Sequence, residues 1–409
     1  MRINIILNTY NSGLNFSYNF ATFIDLTLNL TTMFKKTFFQ IHWFLGITAG
    51  LILSIMGVTG AIYSYEPQIL KWMNSDSYTV QVQERDKLSP AQLYQHFQTQ
   101  NPEMKINSIT VAQDPSASST VNIAKEGARR GYNMMVNPYT AEVLPEIKGR
   151  EFFQFVQQLH RNLTIGPVGK QITGACTLML IFFVLSGLYL RWPKRHSIKQ
   201  WLAVKPQLKG RNFIWDLHAV VGTWVVIFYL ILACTGLTWS YGWWRDGMYK
   251  VLGVERPQPE MQANGGRGEG GPRGERGQRG EGREEAGMSP ESISRALDQS
   301  WTGFSTQFAG KYSTVTFNLP KKPDGEMQLS FVDPVAQHER ARNNATYNYR
   351  SAEFTEVQLY EDKKLNEKIM SSMLPVHRGS FFGPIYQFLV MIAALLMPLF
   401  FVTGWMLYL

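Results

Sequence analysis

Apolar positions in this chain gather into long unbroken runs separated by stretches of shorter period. Four runs carry no charged residue, at 44–65, 171–190, 219–244 and 384–409, and each is long enough to cross a hydrocarbon core of ~30 Å, which takes roughly 20 helical residues. Between the first and second runs the pattern changes. Ser89-Pro90 reads as an N-cap followed by proline at the first helical position, opening a helix to about residue 98. Alternating segments near 106–111, 120–124 and 132–136 read as strands, with Asn137-Pro138-Tyr139-Thr140 as a turn. Between the third and fourth runs Ser289-Pro290 opens a helix in the same way, and strands near 313–318 and 327–332 follow. The expected fold is an α-helical membrane protein with four transmembrane helices and two small α+β domains.

The expected layout is an N-terminal segment at 1–36, a first span at 37–66, a folded domain at 67–150, and an amphipathic segment with the second span at 151–192. A basic loop at 193–217, a third span at 218–244, a second folded domain at 245–370 and a fourth span unit at 371–409 complete it. Pro398 is expected to kink the last helix. Residues 1–32 lack the cationic start and cleavage site of a signal peptide, and Met33, just before Lys35-Lys36, reads as a more natural start. The fourth span runs to Leu409 without a basic anchor, as in the front part of a longer chain or a truncated one.

Charge adds orientation. The 45% apolar content with a mean hydropathy of −0.15 is what interleaved membrane and polar segments produce, and the net charge of +9 is unevenly placed. Arg191, Lys194, Arg195, Lys199, Lys205, Lys209 and Arg211 all fall between the second and third runs, and Lys35-Lys36 precede the first. By the positive-inside rule these segments and the N-terminus are cytoplasmic, and both folded domains are outside. That topology excludes nucleic acid as the partner of the excess charge. The 264–287 tract is rich in Gly, Arg and Glu, without aromatic residues, and reads as a solvated polyampholyte spacer. Its G-x-G-x-x-G at 266–271 is neither preceded by a strand nor followed by a helix, so it carries no dinucleotide site. Cys176 and Cys234 lie within apolar runs and read as packing residues; no C-x-x-C-H is present.

Two short patterns recur. His160-Arg161, four residues and Gly166-Pro167 introduce the second run, and His377-Arg378, four residues and Gly383-Pro384 introduce the fourth. His42, Gly46, Thr59-Gly60 and Ser64-Tyr65 match His218, Gly222, Thr235-Gly236 and Ser240-Tyr241 at equal offsets. Each half holds two spans, so the second half enters the membrane in the same orientation as the first, which makes the halves parallel repeats related by an axis along the membrane normal. His42 and His218 then share one end of the bundle, and His160 and His377 the other. His96, His196 and His338 have no counterparts and are expected to be solvated.

Two imidazoles meeting at the end of an apolar bundle suit the axial positions of a b-type haem, whose flat macrocycle is solvated by apolar helix faces. Zinc would call for further Cys, Asp or Glu ligands, and the spans offer none. The expected site is thus His42 with His218 and His160 with His377 as axial ligands of haem iron, two haem b in all, with no catalytic residue assigned. Gly46, Gly60, Gly222 and Gly236 let either a ring or a neighbouring helix approach. Arg161 and Arg378 are placed to pair with haem propionates or to snorkel to the interface. Two stations across one bilayer divide an electron's path.

These residues resemble the PepSY-associated transmembrane family of bacterial inner membranes, which includes ferric-siderophore reductases and the membrane parts of sulfite-reductase-like flavoprotein fusions. The resemblance spans about residues 35–409. It rests on His42-Trp43-Phe44-Leu45-Gly46, both His-Arg-x4-Gly-Pro motifs, the 186–193 segment Ser-Gly-Leu-Tyr-Leu-Arg-Trp-Pro, and Val136-Asn137-Pro138-Tyr139-Thr140, which looks like a strand and turn of a PepSY domain. It implies that both outside domains are periplasmic and PepSY-like and that the matching histidines ligate haem. It also implies that electrons pass from a cytoplasmic flavin or NAD(P)H-dependent reductase, or from quinol, to a ferric chelate at the periplasmic face. A PepSY membrane anchor or regulator that binds a periplasmic protein, and a small-solute or iron permease, are the alternative functions.

Overall fold

In the computed structural model, residues 3–125, 128–193, 196–256, 288–320 and 325–408 are described, with side chains from Thr32 onward except at 128–130. The 264–287 tract expected to be a solvated spacer lies outside them.

A single long helix, α1 (Ile3–Ser64), contains the first apolar run and ends one residue before Glu66-Pro67. Short helices α2 (Glu66–Met73) and α3 (Ser75–Tyr78) lead to α4 (Pro90–Gln100), then β1 (Ile106–Ala112), β2 (Ser119–Lys125) and β3 (Ala128–Val136). Next come α5 (Arg150–Asn162), α6 (Gly166–Arg191), α7 (Ile198–Leu202), α8 (Gly210–Ser240) and α9 (Gly242–Leu252). After them stand α10 (Pro290–Gln307), β4 (Thr314–Asn318), β5 (Glu326–Val332), β6 (Arg342–Asn348) and β7 (Glu353–Gln358). The chain closes with α11 (Leu365–Ser371), α12 (Met373–Arg378), α13 (Pro384–Leu395) and α14 (Met397–Tyr408). Among the described residues, four helical segments are long and apolar enough to cross a membrane: Thr32–Ser64, Gly166–Arg191, Gly210–Ser240 and Pro384–Tyr408.

The chain divides into two compact units, one of residues 1–58, 171–233 and 393–409, the other of residues 59–170 and 234–392. The first is all helix, with Leu53, Leu180, Val184, Val225, Tyr229 and Met397 in its core. Its last helix breaks between Leu395 and Met397. Pro398 has no N–H for the Ala394 carbonyl four residues back, and that oxygen packs instead against Gly57, where a Cβ would stand 2.4 Å away. The Tyr229 hydroxyl donates to the neighbouring Ala393 carbonyl at 2.8 Å. One carbonyl at the break, that of Ala393, thus keeps a hydrogen bond inside an apolar core.

The second unit contains the sheet. Ser89 caps α4 as its sequence dictates, accepting from the Gln92 N–H while Gln92 returns a bond to the Ser89 N–H; Ser289 accepts likewise at α10. The two α+β domains expected from the sequence are not separate. All the strands form one seven-stranded sheet in the order β3-β2-β1-β4-β5-β6-β7, antiparallel throughout, and β1 pairs with β4 from Ser108↔Asn318 to Ala112↔Thr314. The reason is the edge: β1 and β4 would each present unpaired N–H and C=O groups at the rim of a small sheet, and pairing them removes both edges. It also merges the cores, since Leu93 and Phe97 of α4 share one apolar cluster with Leu297 and Phe304 of α10, together with Ile109, Val315, Phe317 and Phe331 of the sheet. Strands β6 and β7 carry weak signals, β6 because its buried positions include Asn343 and β7 because it is almost wholly exposed.

His338, expected in solvent, is buried at 5% exposure. Its Nδ1 accepts from the Arg340 N–H at 3.1 Å, and Nε2 lies 3.0 Å from the Tyr360 hydroxyl and 3.1 Å from that of Ser372. Burial lowers its pKa; Glu339 opposes this and Arg340 adds to it.

One sheet rather than two makes a crosslinking prediction. Thr110 and Thr316 are register partners with hydroxyls 2.8 Å apart, and paired Cα atoms in a ladder stand within the ~4.4–6.8 Å that a disulfide spans. Thr110→Cys with Thr316→Cys is expected to form an intramolecular disulfide, seen as a reductant-sensitive mobility shift on non-reducing gels. Failure to form it would mean that the two halves of the sheet are separate domains.

Candidate functional site

The four histidines expected to act in pairs do meet in pairs. His42 of α1 and His218 of α8 lie with ring centres 6.5 Å apart and planes turned 68°, and His160 of α5 and His377 of α12 lie 6.2 Å apart and turned 64°. The first pair belongs to the helical unit and the second to the unit that carries the sheet.

Every one of these rings is held at Nδ1 by a hydroxyl. His42 Nδ1 is 2.7 Å from Ser186 Oγ of α6, and His218 Nδ1 is 2.7 Å from Thr403 Oγ1 of α14. His160 Nδ1 is 3.3 Å from Thr59 Oγ1 of α1, and His377 Nδ1 is 2.8 Å from Thr235 Oγ1 of α8. Each hydroxyl is followed by glycine: Thr59-Gly60, Ser186-Gly187, Thr235-Gly236 and Thr403-Gly404. At two of them the glycine is needed for the ring, because a Cβ would stand 2.9 Å from His160 Cε1 at Gly60 and 3.1 Å from His377 Cε1 at Gly236.

Sequence reading noted Thr59-Gly60 and Thr235-Gly236 only as repeated landmarks and did not single out Thr403. The signal was present, since Ser186 follows His160 at the offset at which Thr403 follows His377. Gly46 and Gly222 differ from Gly60 and Gly236: no heavy atom stands within 4 Å of a Cβ at Gly46, and Phe400 is 3.6 Å away at Gly222.

Local structure fixes the second pair. His160 and Arg161 occupy the last turn of α5, which ends where Leu163 and Thr164 adopt positive φ of 51° and 62°. Each costs about 1–2 kcal/mol for a residue with a Cβ, and the turn folds α6 back so closely that a Cβ at Gly169 would lie 1.7 Å from the Asn162 oxygen. His377 and Arg378 likewise end α12, at Gly379 with φ 84°. Arg378 forms an ion pair with Glu66 at 2.9 Å, donates to the Tyr63 carbonyl at 3.2 Å, and lies over the Tyr63 ring. The Tyr63 hydroxyl also accepts from Gln157 of α5. Gln387 of α13 donates to the Ser64 carbonyl at 2.8 Å and accepts from Gln68 at 3.0 Å. Ser372, at the head of α12, meets the buried His338, and Ser380 donates to Glu339. The sheet thus reaches the helix carrying His377 through His338 and Tyr360.

Whether an axially ligated metal fits can be tested on spacing. An imidazole nitrogen binds a first-row metal at about 2.0–2.1 Å and lies about 1.1 Å from its ring centre, so one metal held from opposite sides sets the ring centres about 6.3 Å apart. Both pairs fit. Among the described residues no three His, Cys, Asp or Glu side chains converge on one point, so each pair by itself offers two imidazoles and no further ligand of these types. Trp239 packs against His377, and Phe183 and Phe400 against His42 and His218, so the rings are walled by apolar surface.

The glycines give a prediction independent of any cofactor. Gly60→Ala and Gly236→Ala are each expected to lower stability by about 1–3 kcal/mol through overpacking against an imidazole, measured by thermal unfolding in detergent. Gly404→Ala, with no heavy atom within 4 Å, is expected to leave the unfolding temperature unchanged or raised. Equal behaviour of all three would show that the rings do not press on the helices.

No curated protein matches this chain. The profile of the PepSY-associated TM region matches residues 39–409, a span that holds all four paired histidines and their four hydroxyl partners, and the chain therefore belongs to the PepSY-associated TM family.

Proposed function

We propose that this protein carries electrons across a bacterial inner membrane through two b-type haems, one held by His42 and His218, the other by His160 and His377. The observation that carries the reading is the spacing of the two imidazole pairs, 6.5 and 6.2 Å between ring centres. Imidazoles inside membrane-spanning helices are costly to keep without a task, and His42 and His218 lie within two such helices, while His160 and His377 repeat their geometry.

Bound there, each haem supplies a one-electron Fe(III)/Fe(II) couple, and two of them divide a single membrane crossing into shorter steps. His42 with His218, and His160 with His377, would hold the two groups, each of which would serve electron transfer rather than substrate binding. Ser186, Thr403, Thr59 and Thr235 hold the ring orientations. Arg161 and Arg378 stand beside the second pair in sequence, where their guanidinium groups suit propionates. The Lys/Arg-rich segment at 191–211 and Lys35-Lys36 place the first pair at the cytoplasmic end and the sheet in the periplasm. Electrons enter from a flavin or NAD(P)H-dependent reductase, or from quinol, and leave to a periplasmic ferric chelate such as a ferric siderophore.

Replacement of single histidines tests the pairing. His42→Ala and His218→Ala are expected to remove the same haem, and His160→Ala and His377→Ala the other, as read by difference spectra and haem stoichiometry. All four are expected to abolish reduction of an external ferric chelate by proteoliposomes loaded with reductant. Loss of the same haem in His42→Ala and His160→Ala would overturn the assignment.

A further inference from the structure

The inner hydroxyls do more than touch their histidines, because their protons are already committed. Ser186 Oγ donates to the Phe182 carbonyl at 2.6 Å, and Thr403 Oγ1 donates to the Leu399 carbonyl at 2.6 Å, each to its own helix four residues back. A hydroxyl has one proton and two acceptor lone pairs. With that proton on the helix, the 2.7 Å contacts to His42 and His218 can be made only with the imidazole as donor.

We infer that Ser186 and Thr403 are positioning residues that fix His42 and His218 as the Nδ1–H tautomer, leaving Nε2 of each ring as its metal-binding lone pair and raising its donor strength only as far as a neutral acceptor can. The inference rests on the haem reading for its redox consequence and on hydrogen-bond geometry alone for the tautomer. A neutral imidazole carries one N–H, so a ring that donates from Nδ1 presents an unprotonated Nε2. Ligating histidines ordinarily donate their second N–H to a carboxylate, a main-chain carbonyl or water, and a stronger acceptor makes the ring a better electron donor to the metal. A hydroxyl whose own proton is tied to a helix carbonyl is a neutral acceptor of fixed direction. It orients the ring without pulling it toward imidazolate, as a carboxylate would. The same design recurs on two different helices, through Ser in one and Thr in the other, and the glycine after Ser186 leaves His42 Cε1 3.6 Å from a Cβ position, in ordinary contact.

The test uses the full-length protein in detergent with Ser186→Ala, Thr403→Val and the conservative Ser186→Thr. Thr48→Ala serves as control, since Thr48 makes the same bond to its own helix at Phe44 and lies exposed on α1. Redox titration is expected to show the midpoint potential of the haem bound by His42 and His218 moving upward in Ser186→Ala and Thr403→Val, by about 59 mV for each tenfold loss of preference for the oxidised state. Retention of that haem is expected to fall about tenfold. The other haem, Ser186→Thr and Thr48→Ala are expected to match the unsubstituted protein. Unchanged potentials and spectra for both haems in Ser186→Ala and Thr403→Val would overturn the inference. The tautomer has its own readout in the same preparations labelled with 15N-histidine. Before haem is added, His42 and His218 are expected to show a protonated Nδ1 that is lost from the affected ring in the variants, and a protonated Nε2 in the unsubstituted protein would sink the assignment. A protein that binds no haem but shows the expected tautomers would overturn the electron-transfer reading and leave the hydroxyl assignment standing.

Discussion

An imidazole placed among apolar helices has to hydrogen-bond, because an unmet polar group there costs several times what a made bond returns. This chain meets that demand four times with one device, a Ser or Thr hydroxyl on another helix contacting Nδ1. Much of the surrounding structure follows from it. Helices must approach closely enough for the contact, which puts glycine beside the hydroxyl where the ring presses hardest, at Gly60 and Gly236. With Nδ1 of His42 and of His218 taken by a hydroxyl, Nε2 is the nitrogen that each of these two rings would offer a ligand.

The two pairs are supported by different means. His42 and His218 stand on long helices, and their partners Ser186 and Thr403 stand on two more, so helix packing sets the geometry. His160 and His377 stand on the last turns of shorter helices that stop at positive-φ residues. Short helices fix little by themselves, and here the polar bonds of Arg378 with Glu66, Gln157 with Tyr63 and Gln387 with Ser64 supply the constraint. The sheet adds to it through His338, whose ring is bonded to both Tyr360 and Ser372. Bonds from His338 to the start of the helix that carries His377 tie the sheet's loops to the position of that histidine.

Much of this was legible in the residues, and what was missed has identifiable causes. The four apolar runs, the Ser-Pro helix starts and the break at Pro398 are local signals, and the structure follows them. The pairing of the histidines could be read because equal spacings on long helices translate directly into position. The fusion of two expected domains into one sheet could not, because nothing in β1 or β4 specifies which strand meets its free edge; that is decided by pairing across about half the chain. Strand β6 hides its buried face behind Asn343, and His338 looked solvated because its partners Tyr360 and Ser372 are distant in sequence. The hydroxyl partners were visible as Ser/Thr-Gly dipeptides at matching offsets, yet their role emerges only once helices are brought together.

The central claim is that both imidazole pairs hold haem iron from opposite sides. Pyridine haemochrome quantification with electron paramagnetic resonance on the purified protein, after supply of haem, measures this most directly. The account predicts two b-type haems per chain, both low-spin with two nitrogen axial ligands. A folded protein that takes up no haem, or whose haem is high-spin with an open axial position, would contradict it.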